Sequence, residues 1–154
     1  MIYIHIPFCK SRCLYCDFFS TTSSELKDDF VKALLKEIEG RAEELRFARA
    51  NTIYIGGGTP SQLDTKHLTD IFGALQRVAP LQDGAEVTIE CNPDDITPEF
   101  VDALKATPVN RVSMGVQTFD DNLLRLLRRR HTSEQAHRAV SLLREAGYGN
   151  ISLD

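Results

Sequence analysis

The sequence predicts an α/β fold built on one parallel sheet, and three observations carry that prediction. Five short β-rich runs alternate with longer helical patterns along all 154 residues, the linkers between them are short, and no low-complexity segment interrupts the rhythm. Such alternation places helices outside a parallel sheet, either open and doubly wound or curled into part of an α/β barrel.

The elements follow in order. Ile2 to Ile6 (IYIHI) reads as the first strand. From Leu26 to Ala48, the residues Phe30, Leu34, Ile38, Ala42 and Leu45 recur at steps of three or four, so one long amphipathic helix is expected, with Ser24 as its N-cap. Thr52 to Ile55 gives the second strand, and Leu68, Ile71, Phe72 and Leu75 mark the second helix. After the strand Glu86 to Glu90, Thr97 followed by Pro98 has the form of an N-cap with proline at the first helical position, and this third helix ends before Pro108. Arg111 to Val116 is the fourth strand, and Asn122 to Arg130 the fourth helix. Thr132 with Gln135 forms a capping box that opens a fifth helix, Gly147 closes it, and Ile151 to Leu153 is the fifth strand.

A complete eightfold barrel takes about 250 residues. Five strands make only part of one, so residues 1–154 are expected to be the N-terminal portion of a larger core domain, without the rest of the barrel or a C-terminal domain. Strands one and five are then expected as uncovered edges, which favour association with other chains.

Lys and Arg number 18 against 22 Asp and Glu, a net charge of -4 that leaves no basic footprint for nucleic acid. The hydrophobic fraction of 42% and charged fraction of 26% are those of an ordinary globular chain. No apolar run approaches the roughly 18 residues of a membrane helix, and the start MIYIHIPFC has no export-signal pattern, so a cytoplasmic location is expected. Thiols stay reduced in that compartment, and the four cysteines are therefore read first as metal-binding, catalytic or buried.

Polar and small residues gather where each strand ends: PFCKSRCLYCDF after the first, GGGTP after the second, Glu90 and CNP at the third, Gln117 after the fourth and Asp154 at the fifth. The carboxyl ends of parallel strands form the functional face of such folds, so these signals converge. Cys9, Cys13 and Cys16, spaced C-x3-C-x2-C in one loop, can hold three corners of an iron–sulfur cube and leave one iron open. A structural zinc site with Cys91 as fourth ligand and a disulfide are the competing readings; Cys91 otherwise reads as a small buried hydrophobe. Gly56, Gly57 and Gly58 before Thr59 and Pro60 allow close backbone approach and exposed N–H groups, as an anion or amino-acid cradle requires. The dinucleotide and P-loop patterns are absent. His5 could face either way on its strand, His67 and His137 read as helix-surface residues, and His131 receives no role.

The segments YIHIPFCKSRCLYCDFF, GGGTPSQL, ECNP, RVSMGVQTF, RRRH and ISLD, in order over the whole chain, resemble radical-SAM proteins of the coproporphyrinogen-oxidase-like group. The resemblance implies a partial (β/α)6 barrel, a [4Fe–4S] cluster and S-adenosylmethionine on its unique iron. It implies Cys9, Cys13 and Cys16 as cluster ligands, with Tyr3 and Tyr15 against the cluster and the adenosylmethionine. Gly57, Gly58 and Thr59 would receive the methionine amino and carboxylate end, and Glu90, Gln117, Arg129 and Asp154 match positions that contact adenosylmethionine. Carboxylates and an amide suit ribose hydroxyls and an ammonium, and Arg129 suits a carboxylate. The competing reading of Arg129 is a cation placed by the end of a helix.

Two branches of the group differ in function. The coproporphyrinogen III dehydrogenase branch, an oxidoreductase that decarboxylates propionates, carries a further cysteine two places after the third ligand and an N-terminal extension. This chain has Phe18 there and starts almost at the strand. Both departures point to the HemW-type haem-chaperone branch, which implies haem or porphyrin and a haem-acceptor protein as partners, with haem contacts beyond Asp154.

Overall fold

Alternation along the strands decides which side of the sheet is core. In the computed structural model of the chain, described over residues 1–47 and 51–154, β1 (Ile2–Ile6), β2 (Thr52–Gly57), β3 (Glu86–Cys91), β4 (Arg111–Met114) and β5 (Asn150–Leu153) form one parallel sheet in sequential order. The register aligns Ile4, Ile55, Ile89, Val112 and Ile151 in one row across all five strands. That row faces the helices, and four of its five residues are buried. The neighbouring row, on the opposite face, is Tyr3, Tyr54, Thr88, Arg111 and Asn150. Parallel sheets are normally apolar on both faces. Here one face carries hydroxyls, a guanidinium and carboxyl groups, as the inside of a curled sheet around a polar cavity would.

The helices cover the apolar face. The expected long helix is two: α1 (Lys27–Gly40) and α2 (Ala42–Phe47), with Arg41 between them. Gly40, costly inside a helix, sits at the break. Ser24 is not the cap; Leu26 occupies that place without a side-chain bond, and Ser24 contributes only its carbonyl to the Lys27 N–H. The expected end at Ala48 lies outside the described residues. α3 (Thr65–Val78) buries Leu68, Ile71, Phe72 and Leu75 as the pattern predicts. It also buries His67, which pairs with Asp28 of α1 at 2.9 Å, so the surface assignment of that histidine is wrong.

α4 (Pro98–Lys105) starts as expected, the Phe100 N–H donating to Thr97 Oγ1. α5 (Asp121–Leu126) is shorter than the expected Asn122 to Arg130, because Arg128 adopts φ 58°, where the helix cannot continue. α6 (Ser133–Glu145) has both bonds of the Thr132–Gln135 capping box, and Gly147 at φ 94° follows its end. Strands β1 and β5 are the sheet edges. Among the described residues no helix is long and apolar enough to cross a membrane.

Candidate cofactor site

The loop after β1 is clamped at its base. The Cys9 N–H donates to the Thr21 carbonyl (2.9 Å), and the Thr21 N–H donates to the Pro7 carbonyl (2.7 Å). Phe8 between them is buried and meets Phe30 of α1 edge-on. On the far side, the Leu14 N–H donates to the Leu127 carbonyl at 3.1 Å, tying the loop to the end of α5. Cys9, Cys13 and Cys16 are all half-buried, carry no disulfide and line one cavity. That disposes of the disulfide reading.

The same cavity is lined by Tyr15, Gly57, Gly58, Thr59, Glu90, Gln117, Arg129 and Asp154. Eleven of the twelve residues singled out from sequence therefore meet at one place. Tyr3 does not line it: its ring stacks on Tyr54 (centroids 6.1 Å apart), and its hydroxyl donates to His5 Nδ1 at 3.2 Å. His5 faces the same side of the sheet, donating from Nε2 to the Phe19 carbonyl.

The glycine turn works differently from the expected N–H cradle. Its amides are already engaged: Gly57 donates to Glu90 Oε2 (3.0 Å), Gly58 to the Ile6 carbonyl (2.7 Å) and Thr59 to the Phe8 carbonyl (2.7 Å). The glycines are required by protein packing. A Cβ on Gly58 would fall 2.8 Å from the Phe8 carbonyl oxygen, and one on Gly57, at φ 112°, would strike the His5 ring. These three N–H groups are therefore not free to receive a carboxylate.

Glu90 is held from two sides, since Tyr54 donates its hydroxyl to Oε1 at 2.7 Å. Burial, then the hydrogen bond to Glu90, pushes the Tyr54 phenol up to about 12, so it stays a donor. Asp154 accepts from Ser113 Oγ (3.1 Å), and its carbonyl accepts from the Gln117 N–H. Gln117 and Arg128, both cavity-lining, are the non-glycine residues with positive φ among those described. Backbone strain of this kind concentrates at functional sites.

Arg129 is no helix-end cation. Its Nη1 donates to Cys13 Sγ (3.2 Å), and its Nη2 to Asn92 Oδ1 (2.7 Å) and to the Gly115 carbonyl. Its Nε is buried without a partner. A guanidinium in a wall of the cavity fits an anionic group such as a carboxylate, and the three free thiols beside it are soft donors that fit iron–sulfur chemistry. Among the described residues no three His, Cys, Asp or Glu side chains converge closely enough to hold one metal ion. Ligands to separate corners of a cluster need only surround it. Cys91 is buried on β3, and burial pushes its thiol up, as a small hydrophobe.

The model of the Radical SAM superfamily matches residues 3–154. The chain belongs to this superfamily. Radical SAM proteins in general bind a [4Fe–4S] cluster and S-adenosylmethionine. Among curated relatives, the chain is 40% identical to the heme chaperone HemW of Lactococcus lactis over 99% of its own length and 39% of that protein's. It is equally identical to HemW of Bacillus subtilis, covering 41% of it. The coproporphyrinogen III oxidase HemN of Escherichia coli, a radical SAM enzyme, superposes with a TM-score of 0.89 at 31% identity, over 99% of this chain and 36% of that one. The chain spans about two fifths of the length of these curated relatives.

Sequence reasoning missed three contributors. Asn92 stands in the noted ECNP run but received no weight. Ser113 reads as a strand residue, and Arg130 pairs with Asp94 (2.9 Å) and Asp95 (3.0 Å), fastening the segment after α5 to the turn after β3. The usable signals were the polarity of Ser113 between Val112 and Met114 and the place of Asn92 in the noted run.

Proposed function

We propose that this chain is the cofactor-binding part of a HemW-type haem chaperone, in which Cys9, Cys13 and Cys16 hold three irons of a [4Fe–4S] cluster. The single observation behind this reading is the opening of three free thiols onto a cavity shared with Glu90, Gln117, Arg129 and Asp154. The haem chaperones of Lactococcus lactis and Bacillus subtilis are 40% identical to the chain against 31% for HemN, and Phe18 stands where the enzyme branch would carry a further cysteine. The reading places the protein in a reducing compartment such as the cytoplasm, with haem and a haem acceptor as partners.

In this reading the chain's own groups do the positioning. Glu90, fixed by Tyr54 and the Gly57 amide, presents a carboxylate to the ammonium or ribose of S-adenosylmethionine, and Asp154 and Gln117 serve its hydroxyls. Arg129, lining the cavity, offers its positive charge to the carboxylate of that molecule. The sheet's polar inner row keeps these groups solvated by one another, and Tyr15 and Phe18 flank the thiols. When bound and reduced, a [4Fe–4S] cluster supplies one electron to the adenosylmethionine sulfonium. Anaerobic reconstitution tests the reading: about four irons and four sulfides per chain are expected, and a chain that takes up none overturns it.

The similarity to HemN supports a second reading, oxidative decarboxylation of a porphyrinogen propionate. Release of deoxyadenosine from the reduced full-length protein on addition of porphyrinogen would favour it over the chaperone.

A further inference from the structure

We infer that Asn92 is a positioning residue whose side-chain amide braces two of the cavity thiols, Cys9 through Thr59 and Cys13 through Arg129. The inference rests on the reading of these cysteines as ligands, but the brace is a property of the chain itself. The connecting bonds are continuous. Asn92 Nδ2 donates to Thr59 Oγ1 (3.3 Å), whose hydroxyl donates to Cys9 Sγ (3.5 Å). On the other side Arg129 Nη2 donates to Asn92 Oδ1 (2.7 Å) while Nη1 donates to Cys13 Sγ (3.2 Å).

The chemistry fixes the amide's orientation. A guanidinium can only donate, so Oδ1 must face Arg129 and Nδ2 must face Thr59. Because Asn92 donates to the Thr59 oxygen, the single hydroxyl proton of Thr59 is directed to the sulfur. Aspartate, which only accepts when ionised, would keep Arg129 and draw that proton away from Cys9. Asparagine is the residue that serves both arms.

Asn92 is itself anchored. Its N–H reaches Ser61 Oγ (3.4 Å) and its carbonyl accepts from Asp95 N–H (3.0 Å), at the start of a turn that follows β3 directly. The loop has no internal means of setting the spacing of its first two cysteines: among the described residues Lys10, Ser11 and Arg12 make no hydrogen bond. The strand end therefore adds a side-chain tie at both sulfurs to the backbone bonds that hold Cys9 and Leu14. The same brace joins the thiol loop to the glycine turn, so the two halves of the cavity are ordered together.

Amide hydrogen exchange on the full-length protein without cluster tests the brace. The amides of Cys9, Leu14 and Cys16, which donate to the Thr21, Leu127 and Cys13 carbonyls, report its order. Asn92→Ala should speed their exchange about fivefold, the effect of one lost hydrogen bond, while strand β3 amides keep wild-type rates. Asn92→Asp should loosen Cys9 and leave Leu14 protected. Wild-type loop exchange in both variants overturns the inference. If Asn92→Ala speeds β3 as well, Thr59→Val decides: faster exchange at Cys9 supports the brace, and unchanged exchange overturns it. After reconstitution to full iron content, both Asn92 variants should have a lower midpoint potential than wild type, because hydrogen bonds to ligand sulfurs favour the reduced cluster; an unchanged potential overturns the inference. Failure of the wild type to take up a cluster would undo the proposed function and leave the exchange result standing.

Discussion

Arg129 and Cys13 lie 116 positions apart in sequence, and the guanidinium of one donates to the sulfur of the other at 3.2 Å. The contact joins the first loop of the sheet to the segment after α5. Both the short α5 and the left-handed backbone at Arg128 serve to turn that side chain inward.

Replacing Arg129 separates charge from geometry. Arg129→Lys keeps a cation but cannot reach Cys13, Asn92 and an incoming carboxylate together, since an ammonium lacks the planar fork. Affinity of the cluster-loaded protein for S-adenosylmethionine, measured by equilibrium dialysis, should fall roughly tenfold to a hundredfold, as loss of a charged hydrogen bond implies. Unchanged affinity would show that Arg129 serves the fold alone.

The glycine turn makes a sharper prediction because it is packed on protein. Gly58→Ala should cost about 1–3 kcal/mol, since the new methyl would sit 2.8–2.9 Å from the backbone of residues 6–8, which cannot yield as a side chain can. Gly73→Ala, in the interior of α3 with the nearest atom 3.7 Å away, should stabilise by about 0.5–1 kcal/mol. Urea unfolding midpoints check both signs.

His131 sets a pH dependence. It is buried, its Nε2–H donates to the Val116 carbonyl at 3.1 Å, and its Nδ1 has no partner to accept from a second proton. Burial, followed by the charge of Arg129, lowers its pKa from 6.5 to about 4. The unfolded chain takes up this proton below about pH 6.5 and the folded chain does not until about pH 4. Stability should therefore be full above pH 6.5 and fall as the pH drops from 6.5 toward 4. At pH 5 the loss is about 2 kcal/mol relative to pH 7. A denaturation series on His131→Asn should show a flatter profile across that window.

Local rules read well from the sequence where the cause was itself local. The Thr97–Pro98 start, the Thr132–Gln135 box and the Gly147 stop depend on residues within a few positions of each other. The clustered thiols were legible because one loop holds them all. What could not be read depended on distant partners. His67 is buried because Asp28 of another helix meets it, Tyr3 turns to Tyr54 on the next strand, and the amides of Gly57 and Gly58 are taken by Glu90 and Ile6. The role of Asn92 rests on two residues 33 and 37 positions away, beyond any periodicity.

Low-temperature EPR of the reduced, reconstituted protein, recorded before and after addition of S-adenosylmethionine, tests the central claim most directly. Three cysteine ligands leave one iron exchangeable, so the spectrum of a reduced [4Fe–4S] cluster should appear and then change when the sulfonium compound binds. A spectrum that ignores the addition, or no cluster signal at all, would contradict it.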